Sequence, residues 1–160
     1  MHVLVLNSGY QPINVTTLYR GFKLVYKGKA EILEEGSTPL LTIGGEYKRP
    51  SVIRLKTYVP IKYRKSYLNR KNIYIRDNYE CVYCGATNNL TIDHVLPTSR
   101  GGKNTWQNMV TCCKKCNAKK DNRTPNEANM NMKYKPFEPS FSLLVKQTYK
   151  ENSWLPYLIS

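Results

Sequence analysis

Residues 81–84 read CVYC and residues 113–116 read CKKC, with 28 residues between the two pairs. Each C-x-x-C makes a tight turn that directs two thiolates toward one point, and two such turns complete a tetrahedral shell of sulfur. A closed shell of four sulfur atoms suits zinc and leaves no position for water or substrate. The spacing therefore predicts a module held together by a structural zinc ion on four ligands, Cys81, Cys84, Cys113 and Cys116.

The same cysteines are also compatible with two disulfides or with redox-active C-x-x-C motifs. The opening MHVLVLN lacks a basic segment and is too short for a signal peptide, so we expect a cytoplasmic protein with reduced thiols. Reduced cysteine pairs favour metal binding. Cys112 falls outside the pattern and is expected to be a buried or semi-buried bystander.

The chain is strongly basic, since 25 Lys and Arg residues against 11 Asp and Glu residues give its 160 residues a formal net charge of +14. The excess is concentrated, because residues 41–80 carry +7 and residues 81–120 carry +5, whereas the first and last forty residues carry +1 each. Such a field favours nucleic acid or an anionic surface over a small neutral substrate. No apolar run approaches the roughly eighteen residues that span a membrane.

The remaining patterns predict an α+β protein. The first sixty residues predict a small N-terminal β-α-β-β unit. Its predicted elements are a strand HVLVLN, a turn around Pro12, a helix from Thr16 that stops at Gly28, and strands AEILEE and SVIRL. The predicted divisions are 1–60 for this unit, 61–75 for a basic linker, 76–125 for the cysteine module and 126–160 for a tail with C-terminal helices.

Three short helices are predicted outside these strands. Asn69 is a suitable N-cap for a helix in the second half of the linker. Thr124, followed by a proline, has the signature of a helix start and predicts a helix over residues 125–132. FSLLVKQTY predicts a further helix near the end of the chain, and Trp154 and Leu158 are expected to pack the chain end back onto the protein.

The segment between the cysteine pairs carries the candidate chemistry. LTIDHV alternates like a strand and ends on Asp93 and His94, an acid beside an imidazole. The loop PTSRGGKN follows, and a return strand MVTC is preceded by Asn108. A short helix then begins inside the second cysteine pair and carries Asn117. The sequence predicts a strand, loop, strand and helix, a ββα unit closed at both ends by one zinc ion.

This pattern, DH-x2-P-x-S-x-G-G…N-x-V-x2-C-x2-C-N-x2-K, resembles the HNH endonucleases in the subgroup with a four-cysteine zinc knuckle. The resemblance is specific from Arg76 to Pro125. It extends loosely into the N-terminal unit through LVLN…KGKAEIL…PSVIRL. The residues that carry it are Asp93, His94, Pro97, Ser99, Gly101, Gly102, Asn108, Cys113, Cys116, Asn117 and Lys120.

The resemblance implies a ββα-metal fold in which His94 is the general base and Asp93 binds one catalytic divalent ion. It also implies that Asn108 orients His94 and that Asn117 is the second ligand of the ion. The chain has only two histidines, His2 and His94, so the last position of the motif is Asn117 in an HNN variant. Carboxylate and amide oxygens favour Mg²⁺ or Mn²⁺ over softer ions.

Phosphodiester hydrolysis needs groups of this kind. A base must accept a proton from water near neutral pH, as imidazole does, and a cation must neutralise the charge that develops on the phosphate. Lysines and arginines around the module supply further positive potential. Those predicted to face the phosphates are Arg100, Lys103, Lys114, Lys115, Lys119, Lys120 and Arg123.

These residues predict an endonuclease that hydrolyses phosphodiester bonds of DNA, with duplex DNA as the partner and one strand cut per active site. The resemblance implies 3′-hydroxyl and 5′-phosphate products and a protein of bacterial or phage type. A non-catalytic zinc-ribbon DNA-binding module and an RNA-directed nuclease are the alternatives. The sequence leaves the oligomeric state open, and a double-strand break would require a dimer or a second cut.

Overall fold

The computed structural model of the protein describes residues 1–60 and 66–158. The basic linker predicted over residues 61–75 therefore lies in part outside the described residues. Both described ranges contain helices and short sheets, which confirms the predicted α+β class. None of the helices in this described part of the chain combines the length and the apolar character that crossing a membrane requires.

The first of two compact units contains residues 1–60 and 149–158. Its elements are β1 (His2–Leu6), β2 (Pro12–Thr17), α1 (Leu18–Tyr26), β3 (Ala30–Glu35), β4 (Leu40–Thr42), β5 (Gly45–Tyr47) and β6 (Pro50–Leu55). Four strands form a sheet in the order β2-β1-β6-β3, while β4 and β5 form a separate hairpin. Strands β1 and β6 run parallel, and the other neighbours in the sheet run antiparallel.

Helix α1 covers one face of this sheet. Gly21 allows the helix to lie close to the sheet, because a Cβ atom at this position would be 2.9 Å from Cγ2 of Val3. Gly28 follows the helix with φ of +68°, a left-handed conformation that suits glycine and ends the helix as predicted. The buried apolar residues of the sheet beneath the helix are Val3, Val5, Ala30 and Ile53.

Three strands of this unit were not predicted. The segment around Pro12, predicted as a turn, is strand β2, which pairs with β1 from His2 opposite Thr17 to Leu6 opposite Pro12. Pro12 is the first residue of β2, and β2 is at the edge of the sheet, which are the positions where a strand tolerates the missing N–H of proline. Strands β4 and β5 occupy the segment around Gly44 that was predicted as a loop.

The end of the chain packs onto the first unit. A 3-10 turn over Asn152–Tyr157 lies against β6, and Trp154 within it is 1% exposed. The Trp154 Nε1–H donates a hydrogen bond to Ser51 Oγ over 3.1 Å. Leu158 is buried as well. The expectation that Trp154 and Leu158 pack the chain end back onto the protein is therefore confirmed.

The second compact unit contains residues 66–148. Its elements are α2 (Arg70–Arg76), β7 (Leu90–His94), β8 (Met109–Cys113) and α3 (Lys114–Lys120), and α4 (Phe141–Tyr149) begins in it. The predicted cap of α2 is confirmed, because Asn69 Oδ1 accepts a hydrogen bond from the Asn72 N–H over 2.8 Å. The predicted FSLLVKQTY helix is α4.

The helix predicted over residues 125–132 is wrong. Its start signal is real, since the Thr124 N–H donates to Glu127 Oε2 over 2.8 Å and the Glu127 N–H donates to Thr124 Oγ1 over 3.3 Å. The chain turns once and then leaves the helical path, because Asn129 adopts φ of +53°. A capping pattern therefore marks where a helical turn begins and does not specify how far it continues.

A buried ion pair holds the second unit together. Arg76 and Asp77 have side chains that are both 0% exposed, and Arg76 Nε lies 2.6 Å from Asp77 Oδ1. Arg76 Nη2 also donates to Asp77 Oδ2 over 3.0 Å. The other guanidinium hydrogens go to the carbonyl oxygens of Trp106, Phe137 and Met109, over 2.8 to 3.0 Å. Asp77 in turn accepts from the backbone N–H of Thr111 in β8. One guanidinium thus joins α2 to three separate segments of the unit.

Replacing Arg76 with Ala should destabilise the second unit by about 3–5 kcal/mol, because the Asp77 carboxylate would stay buried without its cation. Urea denaturation with zinc present measures this loss. Arg54→Ala in the first unit is the control, since Arg54 and Glu31 form a pair that is 28% and 41% exposed. That control should cost less than about 1 kcal/mol, and equal losses in the two variants would contradict the buried-pair account.

Candidate functional site

The predicted ββα unit is present in the second compact unit. Strands β7 and β8 pair antiparallel, from Leu90 opposite Cys113 to His94 opposite Met109. Helix α3 starts at the residue after β8, so the second cysteine pair spans the junction between strand and helix. The strand pairing places Asp93 and His94 at the end of β7, as the alternation of LTIDHV predicted.

The four cysteines of the two pairs converge on one point. Their sulfur atoms all lie within 4.8 Å of one another, and Cys84 Sγ is 3.8 Å from Cys113 Sγ. Zinc–sulfur bonds of about 2.3 Å in a tetrahedron place sulfur atoms about 3.8 Å apart. The donor set and its spacing therefore fit a tetrahedral metal site, and zinc is the ion that such a shell prefers.

The thiols of this cluster differ in their readiness to ionise. Burial raises the pKa of Cys81, but backbone N–H groups of Cys84, Cys113 and Tyr83 outweigh burial and lower it to about 7. Burial and the neighbouring thiols raise the pKa of Cys116. Metal binding replaces these protons, so the affinity for zinc should fall as the pH falls.

Cys112 is separate from the metal cluster. Its side chain is 0% exposed, and burial raises the pKa of its thiol, with the nearby Asp93 carboxylate adding to the rise. A buried neutral thiol behaves as a small apolar side chain. The structure thus places Cys112 in the core, as expected for a bystander.

Asp93 faces α3 and the first cysteine pair. Its Oδ1 lies 3.1 Å from Lys120 Nζ, and its Oδ2 accepts a hydrogen bond from the Tyr83 hydroxyl over 3.0 Å. Burial, followed by the charge of Asp93, raises the pKa of Tyr83, so this hydroxyl remains a donor at ordinary pH. Tyr83 lies between Cys81 and Cys84, and it therefore connects the first metal knuckle directly to the Asp93 carboxylate.

Lys120 does not face solvent, and its predicted place on a phosphate-facing surface is wrong. It is 1% exposed and pairs with Asp93, the only acidic residue among residues 81–120. Lys120 follows Asn117 by three positions in α3, so both side chains lie on the same face of the helix. The helix face that reaches Asp93 through Lys120 therefore also carries Asn117, which is half-buried.

His94 makes a contact that the sequence did not indicate. Its Nε2 lies 2.7 Å from Oδ1 of Asn104, a residue in the loop between β7 and β8. Asn104 is exposed and His94 is half-buried. The motif places no functional residue at this position, and only the three-dimensional course of the loop brings the two side chains together.

The side chain of Asn108 forms hydrogen bonds with the backbone of the loop between β7 and β8. Its Oδ1 accepts from the Leu96 N–H over 2.8 Å, and its Nδ2 donates to the carbonyl oxygens of Leu96 and Lys103 over 3.1 and 3.0 Å. Its own carbonyl accepts from the Val95 N–H. The structure therefore places Asn108 on the chain that follows His94, where it joins the two ends of the loop.

Glycine is required where this loop closes. A Cβ atom on Gly102 would lie 1.8 Å from the carbonyl oxygen of Leu96, and Gly101 adopts φ of +90°. The Gly102 N–H also donates to the Pro97 carbonyl over 3.0 Å. A side chain at Gly102 would collide with the backbone of Leu96, and Gly101 has a left-handed conformation that favours glycine. These two constraints explain why the motif has glycine at both positions.

The predicted phosphate-facing residues differ in their surroundings. Arg100 is exposed and pairs with Glu127, which lowers the pKa of that carboxyl to about 2, with the Thr124 N–H adding to the effect. Arg123 donates to the carbonyl oxygens of Lys119 and Lys120 at the end of α3. Within this predicted set, the exposed lysines that make no ion pair with any residue in the described ranges are Lys103, Lys114, Lys115 and Lys119.

Two protein-family models match the chain, an HNH endonuclease-associated N-terminal domain over residues 3–63 and an HNH endonuclease over residues 81–133. A CRISPR-associated endonuclease Cas9 from Corynebacterium diphtheriae is 39% identical over 51 residues, which are 29% of this chain and 5% of that protein. Anaredoxin from Nostoc sp. is 34% identical over 61 residues, which are 38% of this chain and 76% of that protein.

The fold and the site define a small ββα module with a four-cysteine cluster that is suited to a metal ion. The chain belongs to the HNH endonuclease family, since residues 81–133 match the model of that family and residues 3–63 match the model of a domain associated with it, which together are more than half of the chain. A nucleic acid is the substrate of this family. The chain covers only a small part of the length of the matched Cas9 protein.

Replacing Cys116 with Ser should release the metal and unfold the module, because metal binding supplies folding free energy in sites of this kind. Elemental analysis and thermal melting followed by circular dichroism measure the two effects. Elemental analysis also separates zinc, which we expect, from iron, which a four-sulfur tetrahedron can hold too.

Cys112→Ala is the matched control for this variant, because Cys112 adjoins the cluster and contributes no ligand to it. It should retain one metal ion per chain. A Cys116→Ser protein that keeps both its metal and its melting temperature would contradict the four-cysteine site.

Proposed function

We propose that this protein is a metal-dependent endonuclease that hydrolyses phosphodiester bonds of duplex DNA and cuts one strand per active site. The observation that carries the proposal is the position of Asp93 and His94 as consecutive residues at the end of β7, with Lys120 and Asn117 on the face of α3 that reaches Asp93. A general base beside oxygen ligands for a hard cation is the arrangement that metal-assisted phosphodiester hydrolysis requires.

Asp93 and Asn117 are the proposed ligands of one catalytic ion. Their carboxylate and amide oxygens are the donors that Mg²⁺ and Mn²⁺ take in proteins. When bound, such an ion supplies positive charge at the scissile phosphate and at the departing oxygen. Tyr83 and Lys120 hold the Asp93 carboxylate in place from two directions.

The charges around Asp93 favour an anionic substrate once an ion is present. The carboxylate of Asp93 and the ammonium of Lys120 cancel each other within a nearly dry site. A divalent ion added to this neutral pair leaves a local charge of about +2, which attracts a phosphodiester. The exposed Lys103, Lys114, Lys115 and Lys119 extend the positive field over the surface of the module.

His94 is the proposed general base. It takes a proton from a water molecule, and that water attacks phosphorus in line with the departing 3′ oxygen. Resemblance to the family supports 3′-hydroxyl and 5′-phosphate products. Because the chain provides one His94 and one α3, a monomer should nick a duplex, and a double-strand break requires a dimer or a second cut.

A plasmid-nicking assay tests the proposal. The wild-type protein should convert supercoiled plasmid to nicked circles with Mg²⁺, and His94→Ala should reduce the rate by about 10²–10⁴-fold, the usual contribution of a general base. EDTA should stop the reaction, and excess Mg²⁺ should restore it if zinc has stayed in place. His2→Ala is the matched control, since His2 is the only other histidine and lies in the first compact unit.

The result separates the proposal from its alternatives. Equal nicking by the wild-type protein and by His94→Ala, both with zinc bound, would contradict catalysis by His94. DNA binding without any nicking would favour the non-catalytic zinc-ribbon module. Cleavage of single-stranded RNA in preference to duplex DNA, measured in competition, would favour the RNA-directed nuclease.

A further inference from the structure

We propose that Asn104 is a positioning residue that accepts a hydrogen bond from Nε2–H of His94 and so leaves Nδ1 of the ring as the atom that takes the proton. The link of Nδ1 to catalysis rests on the proposed function, whereas the hydrogen bond and the tautomer are properties of the protein without substrate. Neither the family motif nor the roles assigned to Asp93, Asn108 and Asn117 include Asn104.

The geometry assigns the direction of this hydrogen bond. The Oδ1 atom of Asn104 lies 2.7 Å from Nε2 of His94, a distance typical of a strong neutral hydrogen bond. In this orientation of the Asn104 amide its oxygen faces the ring, and because an amide oxygen carries no hydrogen and can only accept, Nε2 is the donor. A neutral imidazole has a single N–H, and Nδ1 therefore keeps its lone pair.

The loop that carries Asn104 is held firmly at the neighbouring residue. Asn108 Nδ2 donates to the carbonyl oxygen of Lys103 over 3.0 Å, and the Thr105 N–H donates to the same oxygen over 3.0 Å. At the other end, Asn108 binds both backbone groups of Leu96. Asn104 is thus presented to His94 by a backbone that is fixed on both sides.

The family motif assigns the orientation of the catalytic histidine to one asparagine, whereas here two asparagines contribute to it. Asn108 fixes the loop backbone, and Asn104 on that loop contacts the ring of His94. An imidazole whose partner selects the wrong tautomer cannot act as a base at the required atom, and such an error lowers turnover without preventing substrate binding. This division also explains why the Asn108 amide is directed to Leu96 and Lys103 and not to His94.

The tautomer can be read directly by ¹⁵N NMR of the ring nitrogens in the zinc-bound full chain. With only two histidines, the signals are easily assigned, and the exposed His2 serves as an internal reference. Neutral His94 should be a single Nε2–H tautomer in the wild-type protein. In Asn104→Ala it should shift toward the mixture that His2 shows, and Asn104→Asp, which keeps an acceptor oxygen, should restore the single tautomer.

Kinetics test the consequence of the tautomer. Asn104→Ala should lower kcat for plasmid nicking by about 10–100-fold, while KM, zinc content and melting temperature stay near their wild-type values. Asn126→Ala is the matched control, because Asn126 is an exposed asparagine of the same unit whose backbone carbonyl bonds only to the Asn129 N–H and not to His94 or the loop. It should leave kcat unchanged.

The outcomes distinguish this proposal from the proposed function. A wild-type His94 that carries its proton on Nδ1, or that shows the same mixture as His2, overturns the role of Asn104 whether or not the protein cuts DNA. An unchanged tautomer in Asn104→Ala overturns it as well. A protein that fails to nick but shows the predicted tautomer shift would refute the nuclease proposal and leave the positioning contact in place.

Discussion

Four thiolates on two knuckles must meet at one point, and this requirement sets where β7, β8 and α3 lie with respect to one another. Cys113 is the last residue of β8 and Cys116 lies in the first turn of α3, so a metal ion bound by both fixes the direction in which the helix leaves the strand. The first knuckle is tied to the same strand through the Val82 N–H and the Thr111 carbonyl, 2.9 Å apart. A small unit with little apolar core gains from such a metal cross-link the rigidity that a larger core would provide.

The metal knuckle and the candidate catalytic residues are connected by side chains. Tyr83, inside the first knuckle, donates to Asp93, and Lys120 on α3 pairs with the other oxygen of the same carboxylate. The Arg76 and Asp77 pair binds the backbone of β8 at Met109 and Thr111. The four-cysteine cluster and the buried ion pair thus both act on β8, the strand that pairs with the one carrying Asp93.

The sequence predicted the features that depend on short spacings. The cysteine pairs, the alternation of LTIDHV and the cap at Asn69 each involve neighbours within a few residues, and the structure has the corresponding ligand cluster, strand and helix. The missed features depend on where distant segments meet. Charge alone could not show that Lys120 is buried against Asp93 while Lys119 is exposed, and no spacing rule connects Asn104 to His94. The capping pattern at Thr124 predicted a start, whereas the left-handed conformation of Asn129 set the end.

Anomalous X-ray diffraction tests the account most directly, with crystals of the His94→Ala protein grown with duplex DNA and Mn²⁺. Data collected at the zinc and manganese absorption edges locate the two kinds of metal independently. The account predicts zinc bound only by the sulfur atoms of Cys81, Cys84, Cys113 and Cys116, and one manganese ion between the scissile phosphate and the oxygen atoms of Asp93 and Asn117. Manganese bound elsewhere, with DNA in contact with the module and Asp93 still held only by Lys120 and Tyr83, would contradict it.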